Sequence, residues 1–208
     1  KDNFCILHNA IETEKFIFNE DIRAKKRKEF NLENRFIIGH IGRFQAQKNH
    51  KALIEIFKKI NDRNKNSVLI LVGDGELRPS IEKKVKKLGL KNNVIFTGVR
   101  SDIAELLQMM DVFVFPSLYE GLPVTLIEAQ ASGLPCIISD TITEEVKITD
   151  LVTFMSLKES YEKWAEQIIE YSYKNKRKNT YDQIVKANYD IKTTSKKLEN
   201  FYLNLITL

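Results

Sequence analysis

Short apolar runs alternate with amphipathic segments through the first two thirds of the chain. We predict buried strands where these runs occur, at residues 36–41, 68–72, 94–97, 112–115 and 135–138. Between them, apolar positions spaced by three and four residues, such as Leu53, Ile56 and Ile60, predict helices with one buried face. Strands that alternate with helices across short loops are typical of a parallel sheet with helices on both faces. The pattern therefore predicts an α/β fold of the Rossmann-like kind.

Several residues predict where the helices begin and end. Asn49 and Asp102 precede amphipathic stretches and are expected to cap them through their side chains. Pro79 suits the first turn of the helix that follows the second strand, and Gly89 is expected to end that helix.

The two ends of the chain follow a different pattern from its middle. Residues 4–7 are predicted to form a short strand, and the charged stretch 21–30 is predicted to be helical. From Lys158 onward only helices are predicted. Their apolar faces are Tyr161, Trp164, Ala165, Ile168 and Ile169 in one, and Leu198, Phe201, Tyr202 and Leu205 in the other. With no repeats and no linker, we expect one domain over 1–208, with an α/β core at 35–150 and C-terminal helices at 158–208.

Composition narrows the class of protein. The chain has 208 residues, 43% of them hydrophobic, and a net charge of +5, which is typical of a globular domain. Clustered lysines, as at 83–87 and 174–178, are interpreted as solvated helix faces, although attraction to an anionic membrane surface stays open. No nucleic-acid-binding module accompanies the charge. With no apolar run of membrane length, we expect a cytoplasmic protein, with peripheral contact at the inner membrane face as the alternative. Cys5 and Cys136 are expected to be buried thiols.

Polar and glycine-bearing loops follow each predicted strand. Parallel strands with right-handed crossovers bring such loops to one edge of the sheet, where open α/β sheets bind ligands. The loops contain Gly42, Arg43 and Lys48; Gly73 and Asp74; Gly98, Val99 and Arg100; residues 116–121; and Ser139 and Asp140. We therefore predict a binding crevice at this edge.

The segment from Asp111 to Gly133 organises the crevice. It reads as a buried strand, a polar loop and a helix that opens near Pro123, so backbone N–H groups and the positive end of the helix dipole face the edge. Glu120 lies in the loop and Glu128 in the helix, about 12 Å apart if the path were fully helical. Carboxylates only accept hydrogen bonds and hold sugar hydroxyls well. Both glutamates also suit the first turns of an ordinary helix.

Two cations precede this segment in the loop after the first strand. Arg43 offers a fork of donors and Lys48 a point charge, and together they can clamp a diphosphate. Two ordinary surface cations are an equally good interpretation of this loop taken alone.

Taken in order, these motifs resemble a known family. Gly42-Arg43 with Lys48-Asn49, residues 72–75, residues 96–98, and above all Pro116-Ser117-x-x-Glu120-Gly121-Leu122-Pro123 through Glu128-Ala129 resemble the C-terminal, nucleotide-sugar-binding half of retaining GT-B glycosyltransferases of family four, also called glycosyl transferases group 1. The resemblance covers about residues 9–145. Asn9-Ala10-Ile11 resembles the family's domain-junction segment, with alanine in place of glycine, so residues 1–30 are expected to be that junction.

The resemblance implies a role for each residue. Arg43 and Lys48 would hold the donor diphosphate and stabilise it as it leaves, Glu120 would face the sugar, and these three are the expected catalytic residues. Glu128 would bind the ribose. Gly121 and Leu122 would supply amides to phosphate or sugar, and Gly98, Val99 and Arg100 would lie near the base.

The resemblance also implies what the site uses and lacks. No metal is required, and Asp74-Gly75-Glu76 is interpreted as a turn. His8, His40 and His50 are too scattered in sequence to suggest a ligand set and are expected to have core or surface roles. A UDP-sugar is the favoured donor, with GDP- and ADP-sugars open. The partners are an N-terminal acceptor-binding domain and an acceptor sugar or lipid-linked sugar. Without that domain, the chain should bind donor but not transfer sugar.

Two alternatives stay open at this point. One is a related GT-B enzyme, such as an epimerase, that acts on a nucleotide-sugar without an acceptor. The other is a non-catalytic module that binds a nucleotide or a partner protein. A dinucleotide-binding role is disfavoured because no Gly-x-Gly-x-x-Gly follows the first strand.

Overall fold

The computed structural model describes residues 7–174 and 177–206, which form a parallel sheet between two layers of helices. The strands are β1 Phe36–Ile41, β2 Ser67–Val72, β3 Val94–Gly98, β4 Val112–Phe115, β5 Cys136–Ser139 and β6 Val152–Met155. The helices are α1 Glu20–Glu29, α2 His50–Arg63, α3 Arg78–Lys87, α4 Ile103–Met109, α5 Val124–Ala131, α6 Tyr161–Lys174, α7 Tyr181–Lys186 and α8 Ile191–Ile206. Each strand pairs in parallel with its neighbours in the order β3-β2-β1-β4-β5-β6. The predicted α/β fold is confirmed.

Alternate residues of the strands supply two separate cores. On β4, Phe113 and Phe115 face one side, together with apolar residues of α4, α5 and α7. Val112 and Val114 face the other side, together with residues of α2, α3 and α6. All four side chains are 0% exposed. Central strands buried on both faces explain why the sequence shows continuous apolar runs rather than alternation.

One strand was missed by the sequence pattern. β6 forms the sheet edge next to β5, and its two middle residues, Thr153 and Phe154, are only partly buried. A four-residue edge strand with a polar member has no distinct apolar signal. The strand predicted at residues 4–7 lies outside the described residues except for Leu7, which is in no regular element.

The predicted helix ends are partly right. Pro79 lies in the first turn of α3, and Gly89 follows the helix at φ +71°, as a helix-ending glycine does. Asn49 and Asp102 stand at the N-cap positions of α2 and α4, as predicted, but neither side chain makes the expected hydrogen bond to the first turn of its helix. Asn49 instead donates to the Pro116 carbonyl oxygen (3.1 Å), and the Asp102 carboxylate pairs with cations.

A charged cluster closes the amino end of β4. Asp111 Oδ1 accepts from Arg23 at 2.5 Å and from Arg27 at 2.7 Å, and its Oδ2 accepts from the Ile37 N–H at 2.7 Å. The Arg177 guanidinium lies beside them and donates to the carbonyl oxygens of Leu107, Gln108, Met110 and Ser132. We call Arg23, Arg27, Asp111 and Arg177 the amino-end cluster. It ties α1 and the segment before α7 to the end of α4.

Two predictions from composition can also be compared with the structure. Cys136 is a free, fully buried thiol, as expected, and burial raises its pKa. Cys5 lies outside the described residues. Among the helices described, none combines the length and the apolar character that crossing a membrane requires.

Candidate functional site

The loops that follow β1, β2 and β3 are joined by backbone hydrogen bonds at the carboxyl edge of the sheet. The Gly42 N–H donates to the Val72 carbonyl oxygen (3.0 Å), and the Gly73 N–H donates to the Gly98 carbonyl oxygen (2.9 Å). Gly73 has φ +130°, and a Cβ there would lie 2.3 Å from the Gly42 carbonyl oxygen. Only glycine allows this approach, so the glycines that marked these loops in the sequence hold the edge together.

The loops after β1 and β4 meet through their side chains. Lys48 Nζ lies 2.7 Å from Glu120 Oε1, across 72 residues of sequence, and the two side chains are 16% and 8% exposed. The structure therefore brings together one of the predicted cations and one of the predicted carboxylates.

Two polar neighbours of Lys48 hold the same pair of loops in place. Gln47 accepts the Leu118 N–H at its backbone oxygen (2.8 Å), and its side chain donates to the Tyr119 carbonyl oxygen (2.9 Å). Asn49 adds its bond to Pro116. We did not predict these contacts from the sequence. The only available signal was the run of polar residues around Lys48, which does not name a partner.

The loop after β5 supports the Glu120 loop from its other side. Ser139 Oγ and Thr141 Oγ1 both donate to the Ser117 carbonyl oxygen, at 2.5 and 3.0 Å. Glu120 itself forms an isolated β-bridge with Ile142. Glu120 is therefore held by loops from three strands. Gly121 follows it as an exposed residue with open space beside its Cα, and Leu122 packs partly against the core.

Glu128 has a different environment from Glu120. It lies in α5, half-buried, and none of the described residues donates a hydrogen bond to its carboxylate. Burial raises its pKa to about 7, because the charged form loses solvation and gains no partner. A carboxylate in this state gains free energy from a ligand that brings hydroxyl donors.

Arg43 and the predicted base loop line a shared cavity of about 500 Å³. Arg43 is exposed and forms no ion pair with a described carboxylate, whereas Arg100 is held in a bidentate pair by Asp102, at 2.7 Å for both bonds. Val99 is 81% exposed beside the cavity, after Gly98 at φ +72°. The structure thus brings Arg43, Val99 and Arg100 together, but it gives no contact that joins them to Glu128.

The histidines differ from the expectation in one respect. His40 and His50 are not scattered but lie in contact in the core, with ring centroids 4.8 Å apart, while His8 lies apart against Tyr189. Burial lowers the pKa of both core histidines, that of His50 to about 4, so both are uncharged at neutral pH. Within 7–174 and 177–206, no three side chains of the metal-binding types lie together as a site for an ion.

The amino-acid sequence is similar to a known protein family and to individual glycosyltransferases. The model of the family described as Glycosyl transferases group 1 matches residues 21–190. EpsF of Bacillus subtilis (strain 168), which is named provisionally as a glycosyltransferase, is 40% identical over 206 residues, 97% of this chain and 54% of EpsF. The UDP-Gal:alpha-D-GlcNAc-diphosphoundecaprenol alpha-1,3-galactosyltransferase of Escherichia coli is 37% identical over 139 residues, 65% of this chain and 36% of that enzyme.

Solved structures support the same fold. The crystal structure of Anabaena Alr3699/HepE in complex with UDP superposes with a TM-score of 0.80 at 21% identity, over 98% of this chain and 57% of that one. At this identity the likeness concerns the fold alone. The chain spans only part of the length of these proteins, 54% of EpsF, 36% of the galactosyltransferase and 57% of the Anabaena protein.

Proposed function

Because the chain belongs to the glycosyl transferases group 1, we propose that it is the C-terminal, nucleotide-sugar-binding half of a retaining glycosyltransferase. The whole enzyme would move a hexose from a nucleoside-diphosphate donor to an acceptor in polysaccharide or glycoconjugate synthesis. The observation that carries the proposal is the Lys48–Glu120 pair, 2.7 Å apart at the carboxyl edge of the sheet. A cation for phosphate and an acceptor for sugar hydroxyls lie next to each other there, as a nucleotide-sugar requires.

Each predicted residue takes one part of the donor. Lys48 and Arg43 bind the diphosphate, and Glu120 binds the sugar beside it. Glu128 binds the ribose, and its unpartnered carboxylate supports this role because hydroxyl donors would relieve its burial. The cavity next to Arg43 receives the base against Val99 and Arg100, and the backbone at Gly98, Gly121 and Leu122 completes the site.

The chemistry is departure of the nucleoside diphosphate from the anomeric carbon. Negative charge grows on the leaving phosphate as that bond breaks, so a cation already in place stabilises the transition state more than the ground state. Lys48 is held beside Glu120 before any donor arrives, and Arg43 has no acidic partner among the described residues. Both are therefore ready to meet the leaving group, and no metal is needed for this step in the proposal.

A UDP-sugar is the favoured donor. Two of the similar proteins support this choice, one crystallised with UDP and one named for transfer from UDP-Gal. The second also carries a diphosphoundecaprenol acceptor in its name, which supports a lipid-linked sugar as acceptor here. An acceptor-binding half of similar length would complete the enzyme, and we expect this chain alone to bind donor without transferring sugar.

A melting-temperature panel tests the proposal. UDP, GDP and ADP are added separately, and a ligand at about a hundred times its dissociation constant adds roughly 2.7 kcal/mol to the free energy of unfolding. We expect UDP to raise the melting temperature of the native chain and to lose most of that effect in Lys48→Met. Lys58→Met, which removes a lysine from an exposed helix pair, is the matched control and should keep it. If none of the three nucleotides shifts the native chain, the proposal is wrong.

A further inference from the structure

Two buried histidines lie beneath the Lys48 loop and have no part in the donor contacts proposed above. His40 belongs to β1 and is 0% exposed, and His50 begins α2 and is 2% exposed. Their rings meet edge to face, with centroids 4.8 Å apart and planes at 80°. A buried polar pair at this position has a cost that an apolar pair would avoid.

Phenylalanine rings enclose the two imidazoles. His50 stacks on Phe44 at 4.1 Å, and the His40 ring lies nearly parallel to two phenylalanine rings, Phe115 at 5.3 Å and Phe113 at 6.3 Å. We call these five residues the ring floor. Lys48 Nζ lies over it, 4.6 Å from the centroid of Phe115, within the range of a cation–π contact.

The imidazoles of the ring floor have nitrogen atoms without hydrogen-bond partners among the described residues. His40 Nδ1 lies 2.9 Å from the Val114 carbonyl oxygen, and because a carbonyl oxygen only accepts, Nδ1 carries the proton. His40 Nε2 therefore holds a lone pair. It has no partner among the described residues, and neither ring nitrogen of His50 has one. Buried nitrogens without partners are rare in folded proteins and point to a role.

Gly42 shows where the free nitrogen of His40 lies. A Cβ on Gly42 would be 3.2 Å from His40 Nε2 and also 3.2 Å from Cδ and Cε of Lys48. The lysine stem and the imidazole nitrogen therefore border the same small space. Any side chain larger than glycine at this position would occupy that space and displace one of them.

We propose that His40 and His50 are positioning residues for Lys48, with lone pairs that stabilise its ammonium group while it exchanges Glu120 for the donor diphosphate. The inference rests on the proposed function of Lys48. The Glu120 carboxylate, 2.7 Å from Lys48 Nζ, compensates the ammonium charge. When the diphosphate replaces Glu120, the ring floor still holds the Lys48 side chain in position, so less side-chain conformational entropy is lost on binding.

A double-mutant cycle separates this role from simple packing. His40→Phe and His50→Phe keep a ring and remove the nitrogens. Each should weaken UDP binding about tenfold by calorimetry, and each should leave uridine binding, followed by NMR titration, unchanged because uridine carries no phosphate for Lys48 to hold. In a Lys48→Met background the same changes should have no effect on UDP binding. Phe57→Leu, a buried change elsewhere in α2, is the control and should reduce stability without altering UDP affinity.

Several outcomes would overturn the inference. It is wrong if His40→Phe binds UDP as the native chain does, weakens UDP and uridine alike, or weakens UDP equally after Lys48→Met. If the histidine variants do not fold, ¹⁵N NMR of the imidazoles decides. The His40 Nε2 resonance should move between the native chain and Lys48→Met, and an unmoved resonance contradicts the contact. This spectrum needs no ligand, so it tests the histidines even if UDP fails to bind and the proposed function is lost.

Discussion

Charged side chains near the two ends of β4 differ in whether the protein itself supplies their hydrogen-bond partners. At the amino end, Asp111 meets Arg23 and Arg27, and the guanidinium of Arg177 finds four carbonyl oxygens. In α5, the helix that follows the carboxyl end of β4, Glu128 has no hydrogen-bond donor among the described residues. Charges that are fully hydrogen-bonded by the fold add to its stability, whereas polar groups left without partners are available to a ligand.

The comparison also separates two kinds of charged pair. In the amino-end cluster one carboxylate faces several guanidinium groups, and burial lowers the pKa of Arg177 to about 9. The Lys48–Glu120 pair is one to one, with side chains 16% and 8% exposed. A ligand could not replace Asp111 without breaking the end of α4, but a diphosphate can replace Glu120 beside Lys48 at little structural cost.

The largest expected effect comes from breaking the amino-end cluster. Asp111→Asn removes the carboxylate charge between Arg23 and Arg27 and leaves buried positive charge uncompensated. We expect the free energy of unfolding to fall by about 3–5 kcal/mol, measured by urea denaturation. Asp62→Asn, in an exposed pair with Lys58, is the matched control and should change it by about 0.5 kcal/mol or less. A loss at Asp111 no larger than the control's would remove the distinction between the two ends.

The amino-end cluster also shows where prediction from sequence stops. The strands could be predicted because each apolar run carries its own signal, and the glycine-bearing loops could be placed at one edge because parallel topology requires it. The contact of Arg23 with Asp111 joins residues 88 apart, and nothing local to either residue indicates the other.

The same limit applies at the carboxyl edge. Glu120 and Lys48 were predicted to share a crevice, but not to pair directly. The side chain of Asn49 does not cap α2, because its backbone is left-handed (φ +52°) rather than extended, and its amide N–H instead donates to Pro116, 67 residues away. His40 and His50 looked scattered because the chain folds back between β1 and α2, which sequence spacing does not show. Topology was predictable, and the pairing of side chains across it was not.

The second largest effect has the opposite sign: removing the charge of Glu128 should raise the free energy of unfolding, whereas removing that of Asp111 lowers it. Burial raises the pKa of Glu128 from its ordinary value of 4.5 to about 7. Between these two pH values the folded state binds more protons than the unfolded state, so the free energy of unfolding falls as pH rises. Glu128→Gln removes this loss. We expect it to raise the free energy of unfolding by about 1–2 kcal/mol at pH 8, after allowing for partial exposure, and by little at pH 4.

A stability gain at Glu128 should accompany a loss of function. The same variant should bind UDP more weakly, because an amide holds ribose hydroxyls less firmly than a carboxylate. Urea denaturation at pH 4 and pH 8, together with calorimetry at pH 8, measures both. If Glu128→Gln lowers the free energy of unfolding at pH 8, the Glu128 carboxylate has a structural partner, as Asp111 has, and is not kept free for a ligand.

The smallest expected effect concerns the Lys48–Glu120 pair at the carboxyl end. Glu120→Gln keeps the shape of the side chain and frees Lys48 from its counter-charge, so a diphosphate no longer competes with a carboxylate. Desolvation offsets most of the Coulomb attraction of a buried pair, so releasing Lys48 from it is expected to free about 1 kcal/mol and to raise UDP affinity, measured by calorimetry, about fivefold. UDP-glucose should lose any advantage over UDP, since Glu120 is the proposed sugar contact. If instead UDP binds more weakly to Glu120→Gln, the pair does not compete with phosphate, and Lys48 and Glu120 are a structural pair like those at the amino end.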